Sequence, residues 1–150
     1  MSNLDYQIAV EKDLSILNHL YADMDDKPPM TEEKILEIWQ QIQQVPDYYI
    51  YLAYLGDTAI GTFSLLFMPT MMHPGFYKSA ILDSVAIHSS YRGQGWGTKM
   101  IQKALEISAD AGCYKVMLSS NLKRDRAHKF YQSLGFKQHG LSFSYETKNK

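Results

Sequence analysis

Three glycines on alternate positions in Arg92-Gly93-Gln94-Gly95-Trp96-Gly97-Thr98 constrain this chain more than any other stretch. They follow an apolar, strand-like run (Ile81, Leu82, Val85, Ala86, Ile87) and open a segment with Ile101, Ala104, Leu105 and Ser108 on one helical stripe. Glycines at that spacing let the backbone turn tightly and approach a ligand without side chains in the way. A helix starting there leaves its first N–H groups unpaired and carries a positive partial charge at that end. Strand, glycine turn, helix N-terminus and Arg92 together predict a phosphate cradle. Neither common nucleotide fingerprint fits: no GxxxxGK[ST] can be drawn, and the glycines are spaced GxGxG rather than GxGxxG. On these residues alone, a turn that only packs a helix close to a strand is the alternative.

The rest of the chain reads as β, α, α, three β, then α, β, α, β. Tyr6 to Val10 alternates as a first strand; Asp13 is placed to cap a helix carrying Leu14, Leu17, Leu20 and Tyr21, to about Met24. Pro28 and Pro29 break it, and Thr31, followed by Glu32 and Glu33, caps a second helix whose apolar face is Ile35, Ile38, Trp39 and Ile42, ended by Pro46. Tyr48 to Leu55 and Ala59 to Phe67 form a hairpin across Gly56-Asp57. After a loop from Pro69 to Lys78, Ser79 to Ile87 is a strand, Thr98 to Ala111 a helix capped by Gly112, and Tyr114 to Ser119 a strand. Asp125 to Leu134 is a short helix ended by Gly135, and Phe136 to Tyr145 returns as one or two strands. The expected fold class is α/β (α+β): one mixed sheet of six or seven strands flanked by four helices.

At 150 residues the chain predicts one domain, residues 1–150, with no repeat or linker. Its net charge of −1 gives no basic face, so nucleic acid is not an expected partner. The single cysteine, Cys113, excludes an intramolecular disulfide and fits a reducing compartment. No basic segment followed by an apolar run opens the chain, and no apolar stretch approaches ~18 residues. The expected location is therefore cytoplasmic, with no membrane partner. The five histidines show no ligand spacing, so no metal is expected.

Two motifs carry a family resemblance. Arg92-Gly93-Gln94-Gly95-Trp96-Gly97 matches the R/Q-x-x-G-x-G/A signature of the GNAT superfamily of N-acetyltransferases. Ala127-His128-Lys129-Phe130-Tyr131 with Leu134-Gly135-Phe136 resembles that family's A-x-x-F-Y-x-x-x-G-F segment. The likeness covers residues 79 to 145 well, and the N-terminal half in element order. It implies a mostly antiparallel sheet with splayed central strands, acetyl-coenzyme A as co-substrate and a homodimer. The pyrophosphate would lie on the N–H groups of Gly93, Gln94, Gly95, Trp96, Gly97 and Thr98. The pantetheine arm would add like a strand beside Val85-Ala86-Ile87. Lys129 is carried over as a coenzyme contact from the second motif, and Asn121 either contacts the arm or only forms a turn.

Acetyl transfer to an amine needs an unprotonated amine, a stabilised oxyanion and a neutralised thiolate. A lysine-like amine of pKa ~10.4 must shed a proton at a cost of about 4.6 kcal/mol at pH 7. Asp83, in the strand before the glycine loop, is the expected base, directly or through a water; His88 is a second candidate. Strand alternation puts Asp83 on the face of Val85 and Ile87 unless a bulge intervenes. The resemblance places the Tyr131 hydroxyl at the coenzyme sulfur, and a backbone N–H near Ala86 or Ile87 would meet the oxyanion. The expected activity is transfer of an acetyl group to a primary amine of a small molecule. A protein or peptide N-acetyltransferase and a non-catalytic acyl-coenzyme A sensor are the alternatives. Ser119 to His128 is similar to acetyltransferases of phosphorylated or phosphonate amines. Lys123, Arg124 and Arg126 would hold a substrate phosphate, hold the coenzyme's 3′-phosphate, or be solvated. The loop from Met68 to Tyr77, together with the loop between the first two helices, is expected to roof the acceptor pocket.

Overall fold

The computed structural model describes residues 3–148. The chain divides into two compact units, Met1–Leu118 and Ser119–Lys150. The first holds the sheet: β1 (Asp5–Ile8), β2 (Tyr48–Leu55), β3 (Thr58–Pro69), β4 (Lys78–Ile87) and β5 (Lys115–Met117), in the spatial order β1-β2-β3-β4-β5. All neighbours are antiparallel except β4 and β5. Its helices are α1 (Leu14–Asp25), α2 (Glu32–Ile42) and α3 (Trp96–Asp110). The second unit contains α4 (Asp125–Ser133).

Local chemistry explains the helix starts. The Asp13 carboxylate accepts the Val10 N–H at 2.9 Å, which ends β1 before Val10 and closes a 3-10 turn ahead of α1. Thr31 caps α2 by accepting the Lys34 N–H at 3.2 Å, with Glu32 and Glu33 in the first turn. Between these helices the buried Asn18 donates to the Met30 carbonyl (2.7 Å) and accepts the Met30 N–H (2.9 Å). That pair of hydrogen bonds pins the proline-broken connection at Met30.

Leu17 and Leu20 of α1 and Trp39 of α2 pack with Ile50 and Leu52 on one face of the sheet. On the other face Tyr51 stacks on Phe63 at 5.0 Å, and the α3 residues Met100, Ile101 and Ala104 are fully buried. A Cβ added at Gly61 would come 2.9 Å from the Met100 sulfur and 3.0 Å from the Ala86 carbonyl oxygen. The thioether can swing aside; the β4 backbone cannot. Gly61→Ala is therefore expected to destabilise the fold by about 1–3 kcal/mol, measured as a lowered midpoint in urea.

β4 contains an irregularity that alternation alone left open. Ser64 of β3 faces Asp83 and Thr62 faces Ala86, so two β4 residues oppose Phe63. This is a β-bulge, and Ser84 takes a left-handed φ of 49° within it. The Ser84 N–H donates to Asp83 Oδ1 at 2.8 Å, and the Ser64 hydroxyl donates to the Asp83 carbonyl at 3.0 Å. The register consequently puts Asp83 on the same face as Ala86, the α1/α2 side, and not with Val85 and Ile87.

The sheet has five strands among the described residues, not six or seven. Four α-helices are present among the described residues, as expected. The missing strands belong to Phe136–Tyr145, where Leu141, Phe143 and Tyr145 alternate as in a strand but are 71%, 87% and 91% exposed. Alternation is insufficient without a ladder, and the second unit offers none among its described residues. The strand expected over Tyr114 to Ser119 shortens to Lys115–Met117 for the same reason: β4 pairs with it only at Ser79, Ala80 and Ile81.

Candidate active site

At the end of β4 the chain enters the glycine turn, with φ of 75° at Gly93 and 87° at Gly95. A Cβ at either position meets nothing within 4 Å, so the left-handed backbone, not crowding, calls for glycine there. Gly95 is the N-cap of α3; no side chain caps the helix and no acidic residue lies in its first turn. The earliest bond back into the turn is from the Lys99 N–H to the Gly95 carbonyl at 3.4 Å. The N–H groups of Trp96, Gly97 and Thr98 precede it, at the positive end of a fifteen-residue helix. The Trp96 indole N–H is also buried without a partner. These donors fit an anionic group such as a pyrophosphate.

Beside the turn, β4 has lost its outer neighbour. Beyond Ile81 no β5 residue pairs with it. His88 donates its N–H to the Ile60 carbonyl of β3 at 2.8 Å, so by the alternation of the ladder Ala86 also faces β3. The Val85 carbonyl and the Ile87 N–H therefore face the open edge. An extended ligand carrying amides could add there as a further strand.

Arg92 reaches back toward α1. Its Nε donates to the Ile87 carbonyl at 2.8 Å and its Nη2 to Asp23 Oδ2 at 3.0 Å. Asp23 also accepts the Ser89 N–H (2.8 Å) and the Ser89 hydroxyl (2.7 Å), and His88 Nε2 lies 3.9 Å from Asp23 Oδ1. The Ser89 hydroxyl bond, followed by the Ser89 amide and the charges of His88 and Arg92, holds the Asp23 carboxyl below its ordinary range. The remaining His88 nitrogen, Nδ1, accepts the Ser90 N–H at 3.1 Å. Both of the His88 nitrogens thus face partners that fasten the turn to α1, which does not suit the residue as the base. A lowered carboxylate pKa stabilises the fold at and above the ordinary Asp value of about 3.9, and the contribution is lost as pH falls through the lowered value. Asp23→Asn is expected to be less stable than the parent at pH 7 and to show a smaller further loss on acidification to pH 3, followed by thermal melts.

On the α1/α2 side of the same β4 residues lies an open pocket of about 450 Å³. Tyr21, Trp39, Tyr48 and Ile50 line it together with Ser84, Val85 and Ala86. Burial pushes the Tyr21 hydroxyl up to about 12, with its side chain hydrogen-bonded to Thr62 and the charge of Asp83 acting in the same direction as burial. Tyr21 is thus a neutral phenol at working pH. Asp83 is exposed and on this side of the sheet. Of the two loops expected to roof it, the one between α1 and α2 contributes Met30, whereas no residue from Met68 to Tyr77 lines the pocket. Phe76 instead packs on Tyr114 with ring centroids 4.8 Å apart, and Met71 and Met72 are 91% and 85% exposed.

A model of the acetyltransferase (GNAT) family matches residues 14–136 of this sequence. The chain belongs to that family. It is accordingly an acyl-coenzyme A-dependent acetyltransferase. Among curated relatives, glucosamine 6-phosphate N-acetyltransferase of Trypanosoma brucei brucei is 29% identical over 138 residues, 91% of each chain. N-alpha-acetyltransferase 30 of Xenopus laevis is 27% identical over 95 residues, 63% of this chain but only 34% of that one. A Trypanosoma brucei acetyltransferase crystal structure superposes with a TM-score of 0.80 at 26% identity, covering 97% of this chain and 100% of the other.

In the second unit of the acetyltransferase, Tyr131 of α4 is half-buried, with its ring 5.2 Å from that of Phe130 and 5.6 Å from that of Phe136. Its carbonyl accepts the N–H groups of Leu134 and Phe136, both at 3.1 Å, where α4 ends. Asn121 forms a turn: Oδ1 accepts the Lys123 N–H at 2.9 Å, and its carbonyl accepts the Arg124 N–H (3.0 Å) and bonds His128 Nε2 (2.8 Å). Lys123, Arg124, Arg126 and Lys129 are exposed. Sequence reasoning missed Tyr48 and Ser84 as pocket residues and placed Tyr21 and Trp39 only as helix packing. The available signal was two hydroxyl-bearing or indole aromatics on helix stripes facing a strand that ends in a ligand loop.

Proposed function

We propose that this acetyltransferase moves an acetyl group from acetyl-coenzyme A to a primary amine of a small molecule by direct attack in a ternary complex. One observation carries the reading: the open edge of β4 and the lining of the pocket share Val85, within a few residues of the glycine turn. A thioester hung along that edge would meet an amine held in the pocket.

In this scheme the amides of Gly93 to Thr98, with Gln94 and Trp96, hold the pyrophosphate, and Val85, Ala86 and Ile87 guide the arm. Arg92, Asn121 and Lys129 assist at the coenzyme's periphery. The Val85 or Ile87 N–H stabilises the oxyanion formed when the amine nitrogen bonds the thioester carbon. Asp83 takes the ammonium proton through a water, which offsets part of the deprotonation cost. As the C–S bond breaks, the electron pair goes to sulfur, and Tyr131 donates a hydrogen bond to that thiolate. Both units would then form one acetyltransferase domain.

The test is release of free thiol from acetyl-coenzyme A with aminophosphonates, amino-sugar phosphates, polyamines, apolar amines and peptides. Amine-dependent release is expected with a free small amine. Release only with peptides would point to the activity named for the frog relative. Coenzyme binding without any release would make the chain a sensor.

A further inference from the structure

We infer that the acceptor is a small primary amine on an apolar body, without a phosphate, an inference that rests on the pocket of the proposed function. The pocket is lined by aliphatic and aromatic residues: Leu17, Ile35, Ile38, Trp39 and Ile42 from the helices and Ile50 from the sheet. Among the described residues, no lysine, arginine or histidine lines it. The only charged lining residue is the exposed Asp25, and Asp83 stands next in sequence to the lining residue Ser84.

A phosphate monoester carries close to two negative charges at pH 7 and is held in proteins by arginine, lysine or converging amides. Here it would face the Asp25 carboxylate and a hydrocarbon wall. An ammonium group gains from the same arrangement: the Asp25 carboxylate in the lining, and the lining tyrosines Tyr21 and Tyr48 among apolar residues that take up its carbon skeleton. The volume of about 450 Å³ suits a body the size of an arylalkyl group.

Steady-state kcat/KM should be measured with 2-phenylethylamine, glucosamine 6-phosphate and a peptide beginning Met-Leu, and binding of each by calorimetry in the presence of desulfo-coenzyme A. Phenylethylamine is expected to exceed the phosphosugar about a hundredfold in kcat/KM and to bind detectably where the phosphosugar does not. Ile38→Lys is expected to lower the phenylethylamine kcat/KM at least about tenfold with little change in the KM for acetyl-coenzyme A. Should that variant fail to fold, Met30→Lys, on the exposed connection lining the pocket, tests the same wall. Equal or better use of glucosamine 6-phosphate or the peptide, or no binding of phenylethylamine, overturns the inference. Binding of phenylethylamine with no thiol release upholds the ligand class and overturns the proposed transfer.

Discussion

Tyr131→Phe is expected to lower kcat about a hundredfold while leaving the dissociation constant of acetyl-coenzyme A nearly unchanged. A phenol of pKa ~10 is a weaker acid than a thiol of ~8.5, so full proton transfer to the departing sulfur runs uphill by about 2 kcal/mol. The hydroxyl is therefore expected to act by a charge-assisted hydrogen bond that strengthens as the C–S bond lengthens, an interaction made mainly in the transition state. Phenylalanine keeps the ring contacts with Phe130 and Phe136 and the α4 terminus that bonds the residue's carbonyl, so the fold should tolerate the change. Single-turnover rates with calorimetry of coenzyme binding separate the two quantities. Equal losses in both would remove the proposed role and leave Tyr131 as a packing residue.

Gly95→Val is expected to weaken acetyl-coenzyme A binding by at least about tenfold and to lower the melting temperature. At φ 87° a β-branched residue carries a penalty of roughly 1–2 kcal/mol. The chain can relieve it only by rotating the N-cap of α3, which swings the Trp96, Gly97 and Thr98 amides off a common focus. Gly56→Val, in the hairpin turn at φ 61°, supplies the control: similar strain, similar loss of stability, no loss of coenzyme affinity. If both variants bound the coenzyme as tightly as the parent, the glycine turn would not be its anchor.

The features that could be read in advance are those written in adjacent residues. The turn at Gly93 and Gly95, the Thr31 cap and the Gly56-Asp57 hairpin each declare themselves within a few positions. What stayed hidden depends on partners far along the chain. Nothing local says that Arg92 will bond Asp23, 69 residues earlier. Ser84 lacks the glycine that usually marks a left-handed bulge, yet that residue decides which face Asp83 occupies. The pocket joins two helices to three strands, so its wall looked like ordinary helix packing until the sheet register was known. The tail from Phe136 to Tyr145 shows the converse: its apolar positions alternate, but among the described residues no ladder receives them.

In the proposed scheme the short β4–β5 seam ties folding to metabolism. The thioester's own arm would pair with peptide groups left at that seam, so the sheet would be extended by what it consumes. A bound partner at a hundredfold excess over its dissociation constant adds about 2.7 kcal/mol to resistance against unfolding. Backbone amides of Val85 and Ile87 should accordingly exchange hydrogen rapidly in a starved protein and slowly in a saturated one, making abundance of the enzyme track the supply of its thioester.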